Sequence, residues 1–510
     1  MTMNIRWRAL TVLSIVAALA AGCTAQTGQG TQGKDTGAGE KKTFSMLTES
    51  TTNWPYSKDW LIWKLLEDKT GVKLNVQLPS GKMEDAINLY VASGNMPDIL
   101  VVQNKAQADK FGQQGAFVNL LDYLDQMPNF KKWIAKYPDI AKSQLAADGK
   151  MYVTPNEGFG ETNRTIWMYR EDILKKNGLT APNNYEELYE TAKKLKQLYP
   201  DSYPFVFRVS NSSKLQILKY MSANYDTYDD YFYDNKTKQV RYGPTEDNYK
   251  KMIEYMVKFA KEGLMPPDWL TTETKQWQDL ISTNRGFFTA DYIGRVDFYN
   301  TIMRKENPQF NFAFMPPPAG FAGAKQQNAY TQFVEGGMSI AANSTNIKGV
   351  AKYLDFYYSE EGREVSSWGK EGETFVVENG KKKMKSDFVD VTDLRKKTGL
   401  ASFGTYTWID FDAHLSLSSP EQQAVFKEAK KYDSELKFKP PFTDKELEIV
   451  STVGKALEKD RDETIIKMIL GDISMADWDK YVANQKKLGL QQMLDIYKTA
   501  YERLNNTSLK

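Results

Sequence analysis

The chain has 510 residues, with 67 basic and 65 acidic side chains, and 11 Trp, 29 Tyr and 25 Phe against one His and one Cys. Such a length exceeds one ordinary hydrophobic core and implies two or more lobes. A net charge near zero gives no basis for binding nucleic acid, which needs clustered Lys and Arg against phosphates, and a lone cysteine excludes an intrachain disulfide.

Arg6 and Arg8 precede Ala9 to Ala21, an uncharged stretch of small and apolar residues. It falls short of the ~20 residues a spanning helix needs but suits the apolar segment of a secretory signal peptide, residues 1–22. The stretch ends in Leu19-Ala20-Ala21-Gly22-Cys23. These residues resemble the lipobox of bacterial lipoproteins, with Ala20 where a leucine is usual and Leu19 one place further out. Cys23 is therefore expected to carry a diacylglycerol and to hold the protein on the extracytoplasmic face of the bacterial cell membrane. Once the signal takes Arg6 and Arg8 with it, basic and acidic residues balance at 65 each. Residues 23–42 read as the anchor and a flexible tether, rich in Gly, Thr and Gln, with a reach of roughly 25 Å. Within it, Gly28-Gln29-Gly30-Thr31-Gln32-Gly33 matches a dinucleotide fingerprint. No strand precedes it and no helix follows, so it is coincidence of composition.

From Thr43 the pattern is α/β. Thr43 to Thr48 reads as a strand, and Ser57 as the cap of a helix that buries Leu61, Ile62, Leu65 and Leu66 and stops at Gly71. Val72 to Leu78 alternates as a strand, Met83 to Val91 has helical spacing up to Gly94-Asn95, and Ile99 to Val102 suits a strand buried on both faces. This rhythm predicts a parallel sheet with right-handed crossovers. Asp148-Gly149 predicts a turn into a short strand, Met151 to Val153. Thr165 to Tyr169 reads as a strand, Arg170 to Asn177 as a helix ended by Gly178, and Asn184 with Glu187 as a helix start. Phe287-Phe288, Asn311 to Met315 and Met338 to Ala342 add strands, with Gly336-Gly337 before the last. The chain beyond Asn346 is mainly helical by pattern, and no repeat is present.

Five stretches together resemble a known family. They are Val91-Ala92-Ser93-Gly94-Asn95-Met96-Pro97-Asp98-Ile99, Asp148 through Pro155, Tyr169 through Leu179 with Pro182 to Leu188, Arg285-Gly286-Phe287-Phe288 with Asp291-Tyr292, and Trp368 through Phe375. In this order and spacing they resemble the extracellular solute-binding proteins of bacterial carbohydrate ABC transporters, in the long Gram-positive lipoprotein form. The resemblance implies a two-lobed α/β clamshell with a hinge and a central cleft. Its expected boundaries are 43–165 with 335–365 for one lobe and 166–334 with 366–510 for the other. It also implies a monomer, an oligosaccharide ligand, permease subunits as partners, and neither a cofactor nor a catalytic role. Some relatives carry calcium after the helix matching Tyr185–Leu198. The one acidic residue there, Asp201, supplies too few oxygens, so no metal is expected.

Ligands of open α/β lobes bind beyond the carboxyl ends of strands, which selects the candidates. Glu49, Asn53 and Trp54 lie in the polar loop after the first strand. Asn156 and Glu157 follow Val153, with Arg164 and Trp167 close behind. Asp291 and Tyr292 stand where relatives place a stacking aromatic, Glu335 at the return crossing between lobes, and Trp408 in an aromatic loop. Aromatic faces bury the apolar side of a sugar ring while carboxylates, amides and Arg bond its hydroxyls. Arg164, Arg285 and Arg295 leave room for an acidic sugar. The alternatives are a cell-surface carbohydrate-active enzyme, which needs only two carboxylates, and a surface protein that engages another protein. Asp410-Phe411-Asp412-Ala413-His414 is the one acid–imidazole cluster, and it reads more readily as a surface-loop histidine.

Overall fold

Ile99–Val102, an unbroken apolar run, is buried at all four positions, and the first sheet is built around it. The computed structural model describes residues 42–209, 214–329, 334–507 and 509, without the side chains of Phe159 and Glu335. The signal stretch, Cys23 and all of the tether but Lys42 lie outside those residues.

Among the described residues thirteen strands form five sheets. They are β1 (Lys42–Leu47), β2 (Val72–Gln77), β3 (Ile99–Val102), β4 (Asn156–Glu157), β5 (Thr165–Arg170), β6 (Tyr231–Asp234) and β7 (Gln239–Tyr242). Then come β8 (Phe288–Tyr292), β9 (Phe312–Met315), β10 (Val334–Glu335), β11 (Gly337–Ile340), β12 (Phe375–Glu378) and β13 (Lys381–Met384). The first lobe's sheet runs β11-β3-β1-β2. As the rhythm predicts, β1, β2 and β3 are parallel, and β11 joins antiparallel to β3. The second lobe is centred on β8-β5-β9, antiparallel throughout.

Local chemistry explains most ends. Gly71 and Gly94 close their helices at φ 68° and 69°, where a Cβ is disfavoured. Asn184 accepts the Glu187 N–H at 2.8 Å, and the Glu187 carboxylate reaches back to the Asn183 N–H at 2.8 Å. Ser57 caps no helix: its Oγ accepts from the Asp59 N–H, and the helix begins at Leu61. Met151–Val153 is not a strand; this buried stretch meets the sheet just beyond, where the Thr154 N–H donates to Met338 O at 2.9 Å.

Two cores mark the lobes. Phe44, Met46, Ile62, Val101, Phe130 and Met338 belong to one, and Trp167, Tyr185, Leu188, Phe205, Met252 and Phe259 to the other. Each large apolar side chain so buried stabilises its lobe by about 2 kcal/mol. Packing with the first core continues past residue 365. Trp368, Phe375, Met384, Leu394 and Leu400 pack in the first core, together with the segment through the β12–β13 hairpin. Three segments cross between the lobes, around β4, around β10 and at Thr407–Ile409. β4 pairs with β10, Glu157 N–H donates to Thr407 O at 2.6 Å, and Ile409 N–H donates to Glu157 O at 3.2 Å. Gly336 and Gly337 let these strands touch: a Cβ on Gly337 would stand 1.6 Å from Thr154 O. Among the described residues no helix is long and apolar enough to cross a membrane.

Candidate functional site

Where β3 ends, Gln103 and Asn104 leave the carboxyl edge of the first sheet, and Asn104 caps the next helix by accepting the Ala106 N–H at 3.0 Å. They open onto a cavity of 480 Å³ between the lobes. The first lobe contributes Lys105, Asp109, Ser143 and Gln144, the second Lys219, Asp230, Tyr231, Lys439 and Tyr497. Val334 and Gly336 of the crossing strands also line it. A second cavity of 660 Å³ shares Ser143, Lys437, Phe438 and Tyr501 with the first, so the two form one groove. Pockets of about 300–1,000 Å³ suit small ligands; two joined end to end suit a chain of rings.

The groove wall mixes aromatic faces with unspent polar groups. Tyr231 and Tyr497 stack with ring centroids 4.2 Å apart, and Phe442 meets Tyr497 edge-on at 5.0 Å. Tyr501 donates its hydroxyl to Phe438 O at 2.9 Å. Val450, which opens a single π turn (Val450–Gly454) between two helices, also lines the cavity, and such turns recur at functional sites. Asp109 is 4 % exposed and pairs with Lys105 through Oδ2, while its Oδ1 has no partner. Burial pushes the Asp109 carboxyl above its usual range, and Lys105 pulls it part of the way back. Lys219 and Lys439 are both exposed along the groove, where the Lys439 charge opposes that of Lys219. The exposed Asp230 carboxylate accepts its neighbour Tyr231's N–H at 2.7 Å. Across the groove, Lys142 Nζ donates to Asn505 O at 2.7 Å and Gln113 Nε2 to Phe442 O at 3.4 Å.

The residues selected from the sequence fall into several places. Asn156, Glu157 and Trp408 meet at the hinge. Asn156 is buried with Oδ1 unpartnered. The Glu157 carboxylate accepts from Trp133 Nε1 at 2.8 Å and the Tyr137 hydroxyl at 3.2 Å. Trp408 is 9 % exposed, between Lys136 at 5.6 Å and the Arg363 guanidinium at 4.5 Å. The backbone of Glu335 pairs with Asn156 there, and its side chain lies outside the described residues. Glu49 is half-buried and bonds Gln103 at the groove's edge; burial raises its carboxyl. Asn53 is exposed, and Trp54 lies beneath the Arg395 guanidinium at 4.9 Å. Asp291 is buried between Arg208 and Arg295, at 2.7 and 3.0 Å, beside an exposed Tyr292 whose ring is 5.7 Å from Arg208.

Two assignments are corrected. Trp167 is 1 % exposed, stacked on Phe205 at 5.9 Å and edge-on to Tyr185 at 5.9 Å, so it is core. Arg164, 2 % exposed, is held by Asp433 and by Glu161 at 3.5 Å, because a guanidinium so deep needs counter-charge. Nor do the arginines converge: Arg285 bonds Thr283 and Arg295 serves Asp291. His414 lies in a helix rather than a surface loop, stacked on Phe411 at 6.1 Å with Phe426 edge-on at 5.9 Å. Burial lowers its pKa to about 3, while Asp410 is spent on Trp368 Nε1 at 2.8 Å. The groove lysines, aspartates and tyrosines went unselected. The signals for them are the interleaved acids and tyrosines of Tyr225–Asp234 and the alternating Lys437-Phe438-Lys439.

A family profile described as bacterial extracellular solute-binding protein matches residues 52–364. Among curated proteins, the fructooligosaccharide ABC transporter substrate-binding protein FusA of Streptococcus pneumoniae is 23 % identical over 506 residues, covering 91 % of each chain. The polygalacturonan/rhamnogalacturonan-binding protein YtcQ of Bacillus subtilis is 22 % identical over 513 residues, covering 98 % of this chain and all of its own. Among solved structures, the calcium-free alginate-binding protein AlgQ2 superposes with a TM-score of 0.75 at 25 % identity, over 91 % of this chain and 98 % of its own.

Proposed function

We infer, from the premise that the chain belongs to the bacterial extracellular solute-binding proteins, that it is the substrate-binding component of an ABC importer and takes an oligosaccharide in the interlobe groove. The observation that carries this reading is the groove itself, with two confluent cavities whose walls come from both lobes. Tyrosine faces suit the C–H faces of sugar rings, and Asp109 Oδ1 is a buried acceptor awaiting a hydroxyl. Walls on separate lobes make ligand binding and hinge closure one event. The closed, loaded form is then what the permease receives. The lipobox-like sequence at Cys23 supports a membrane anchor that keeps the protein beside that permease. Relatives named for fructooligosaccharide and polygalacturonan binding support the cargo class.

Binding proceeds without chemistry. The purified chain, incubated with a panel of glycans, should be thermally stabilised by one class of oligosaccharide and should release no product. Cleavage that survives purification and disappears in Asp109→Asn or Asp230→Asn would replace this reading with a glycoside hydrolase.

A further inference from the structure

Two segments of the second lobe reach across the groove and take hold of the first. Residues 433–442 form neither helix nor strand, yet both ends are fixed to the second lobe. Before the segment, Tyr432 O accepts the Asn328 N–H at 2.7 Å, and the Tyr432 ring lies 5.7 Å from that of Phe314. After it, Thr443 and Glu446 make a capping box at the start of the helix Asp444–Ile449, and Arg503 forks onto Glu446 at 2.7 and 3.0 Å. In between, the Tyr501 hydroxyl donates to Phe438 O, Arg503 to Pro441 O, and Asn235 to the Glu435 carboxylate. The segment is therefore no fourth crossing but a strap that leaves the second lobe and returns to it.

Two of its side chains serve the other lobe. Leu436 and Phe438 pack against the first core, and share the wall of the 660 Å³ cavity with Ile140 of that core. Lys437 between them turns back over the Phe232 ring of the second lobe at 5.1 Å. The C-terminal helix, Leu490–Asn506, makes the second contact while seated on its own lobe through Tyr497 against Tyr231. Lys142 of the first lobe donates to Asn505 O at 2.7 Å, in the last turn, where helix carbonyls lack partners and favour a cation. Leu509, just beyond, packs against the first core as well. Neither contact uses a residue of β4, β10 or Thr407–Ile409.

Contacts of this kind exist only while the lobes are together, and opening returns Leu436 and Phe438 to water. They need no ligand. We propose that the strap and the end of the C-terminal helix form a latch that holds a share of the molecules closed before cargo arrives, with Leu436, Phe438 and Lys142 as its positioning residues. A ligand that binds the closed form is then held more tightly in proportion to that share. The latch sets affinity without selecting cargo, so it stands apart from the identity of the sugar.

The test is single-molecule energy transfer between dyes on the two lobes, with no saccharide present. Cys23→Ser removes the one native cysteine, and Leu89→Cys and Leu470→Cys, at sites 71 % and 47 % exposed, place one dye on each lobe. This chain should show a close and a distant population. Phe438→Ala should lower the ratio of close to distant roughly tenfold, the loss expected of one partly buried apolar side chain. Leu436→Ala should act in the same direction. Lys142→Met should lower the ratio roughly two- to fivefold, the range for a cation at a helix end. It leaves both cores intact, which keeps the test open should Phe438→Ala fold poorly. A chain found only in the distant population before any of these three substitutions would overturn the latch, as would ratios that none of them moves. A shift toward the close population would also overturn it, because the contacts would then lie behind the hinge and prop the lobes apart.

Discussion

Asp291 offers the sharpest test of what the structure adds to the sequence. As a strand-end carboxylate beside an aromatic it reads as a sugar ligand; in the fold it is 3 % exposed and holds two arginines. Arg208 donates through Nε at 2.7 Å and Nη2 at 3.3 Å, and Arg295 through Nε at 3.0 Å. Both guanidiniums also lie over the Trp277 ring, at 5.7 and 5.3 Å. Asp291→Asn keeps the shape and removes the charge, leaving two cations against each other with no counter-ion. Removing one partner of a buried pair costs about 3–5 kcal/mol. Arg208 and Arg295 keep 14 % and 21 % of their side chains in contact with water, which places the loss at the lower end, about 3 kcal/mol. Urea unfolding at neutral pH measures it as a fall in midpoint at unchanged slope. The triple variant Arg208→Met, Asp291→Asn, Arg295→Met should recover most of the loss, because replacing a whole buried ion group by apolar side chains is close to neutral. If Asp291→Asn unfolds within ~1 kcal/mol of the parent, the magnitude of an exposed pair, and yet loses sugar affinity, Asp291 is a ligand residue and the clamp reasoning is wrong.

Three further outcomes are expected. Burial lifts Asp229 to about 6 from an ordinary 3.8, with Arg461 and the Tyr249 hydroxyl opposing the lift. The fold thus favours its protonated form, so its contribution is complete below pH 3.8 and is lost as pH rises through 6. The loss amounts to about 3 kcal/mol. Asp229→Asn should accordingly gain stability relative to the parent between pH 4 and pH 7, as followed by thermal melting; a difference independent of pH refutes this. Gly337→Ala places a Cβ 1.6 Å from Thr154 O, a backbone atom that cannot swing away, and should cost about 1–3 kcal/mol or more and impair closure. Gly294→Ala, where a Cβ meets nothing within 4 Å, is the control expected to melt as the parent does. Cys23→Ser should move the protein from the detergent-extracted membrane fraction to the medium, and retention in the membrane would refute anchoring through that residue.

How far the sequence could be read depended on the range of the interaction that decides each feature. β1, β2 and β3 were legible because alternation and apolar runs are set within a few residues, as were the helix ends at Gly71 and Gly94. The hinge was partly legible, since Gly336-Gly337 beside an apolar strand marks a close backbone approach, and Asn156, Glu157 and Trp408 do meet there. The lobe of Trp368–Leu400 was not, because a β-hairpin and a helix read alike whichever core they cover. Trp167 fits a strand equally well as core or as ligand platform, and only Phe205 and Tyr185 packing on it decide the matter. The groove is the extreme case. Lys105, Lys219, Lys439 and Tyr497 come from four distant segments, and each is a residue type that helices and loops normally show to water. Lys105 and Lys219 look the same in the sequence, one on each side of the groove. Asp109 four residues on claims Lys105, whereas Lys219 is set against Lys439, 220 positions away in the chain. Such a juxtaposition is a property of tertiary packing and leaves no mark in the local sequence.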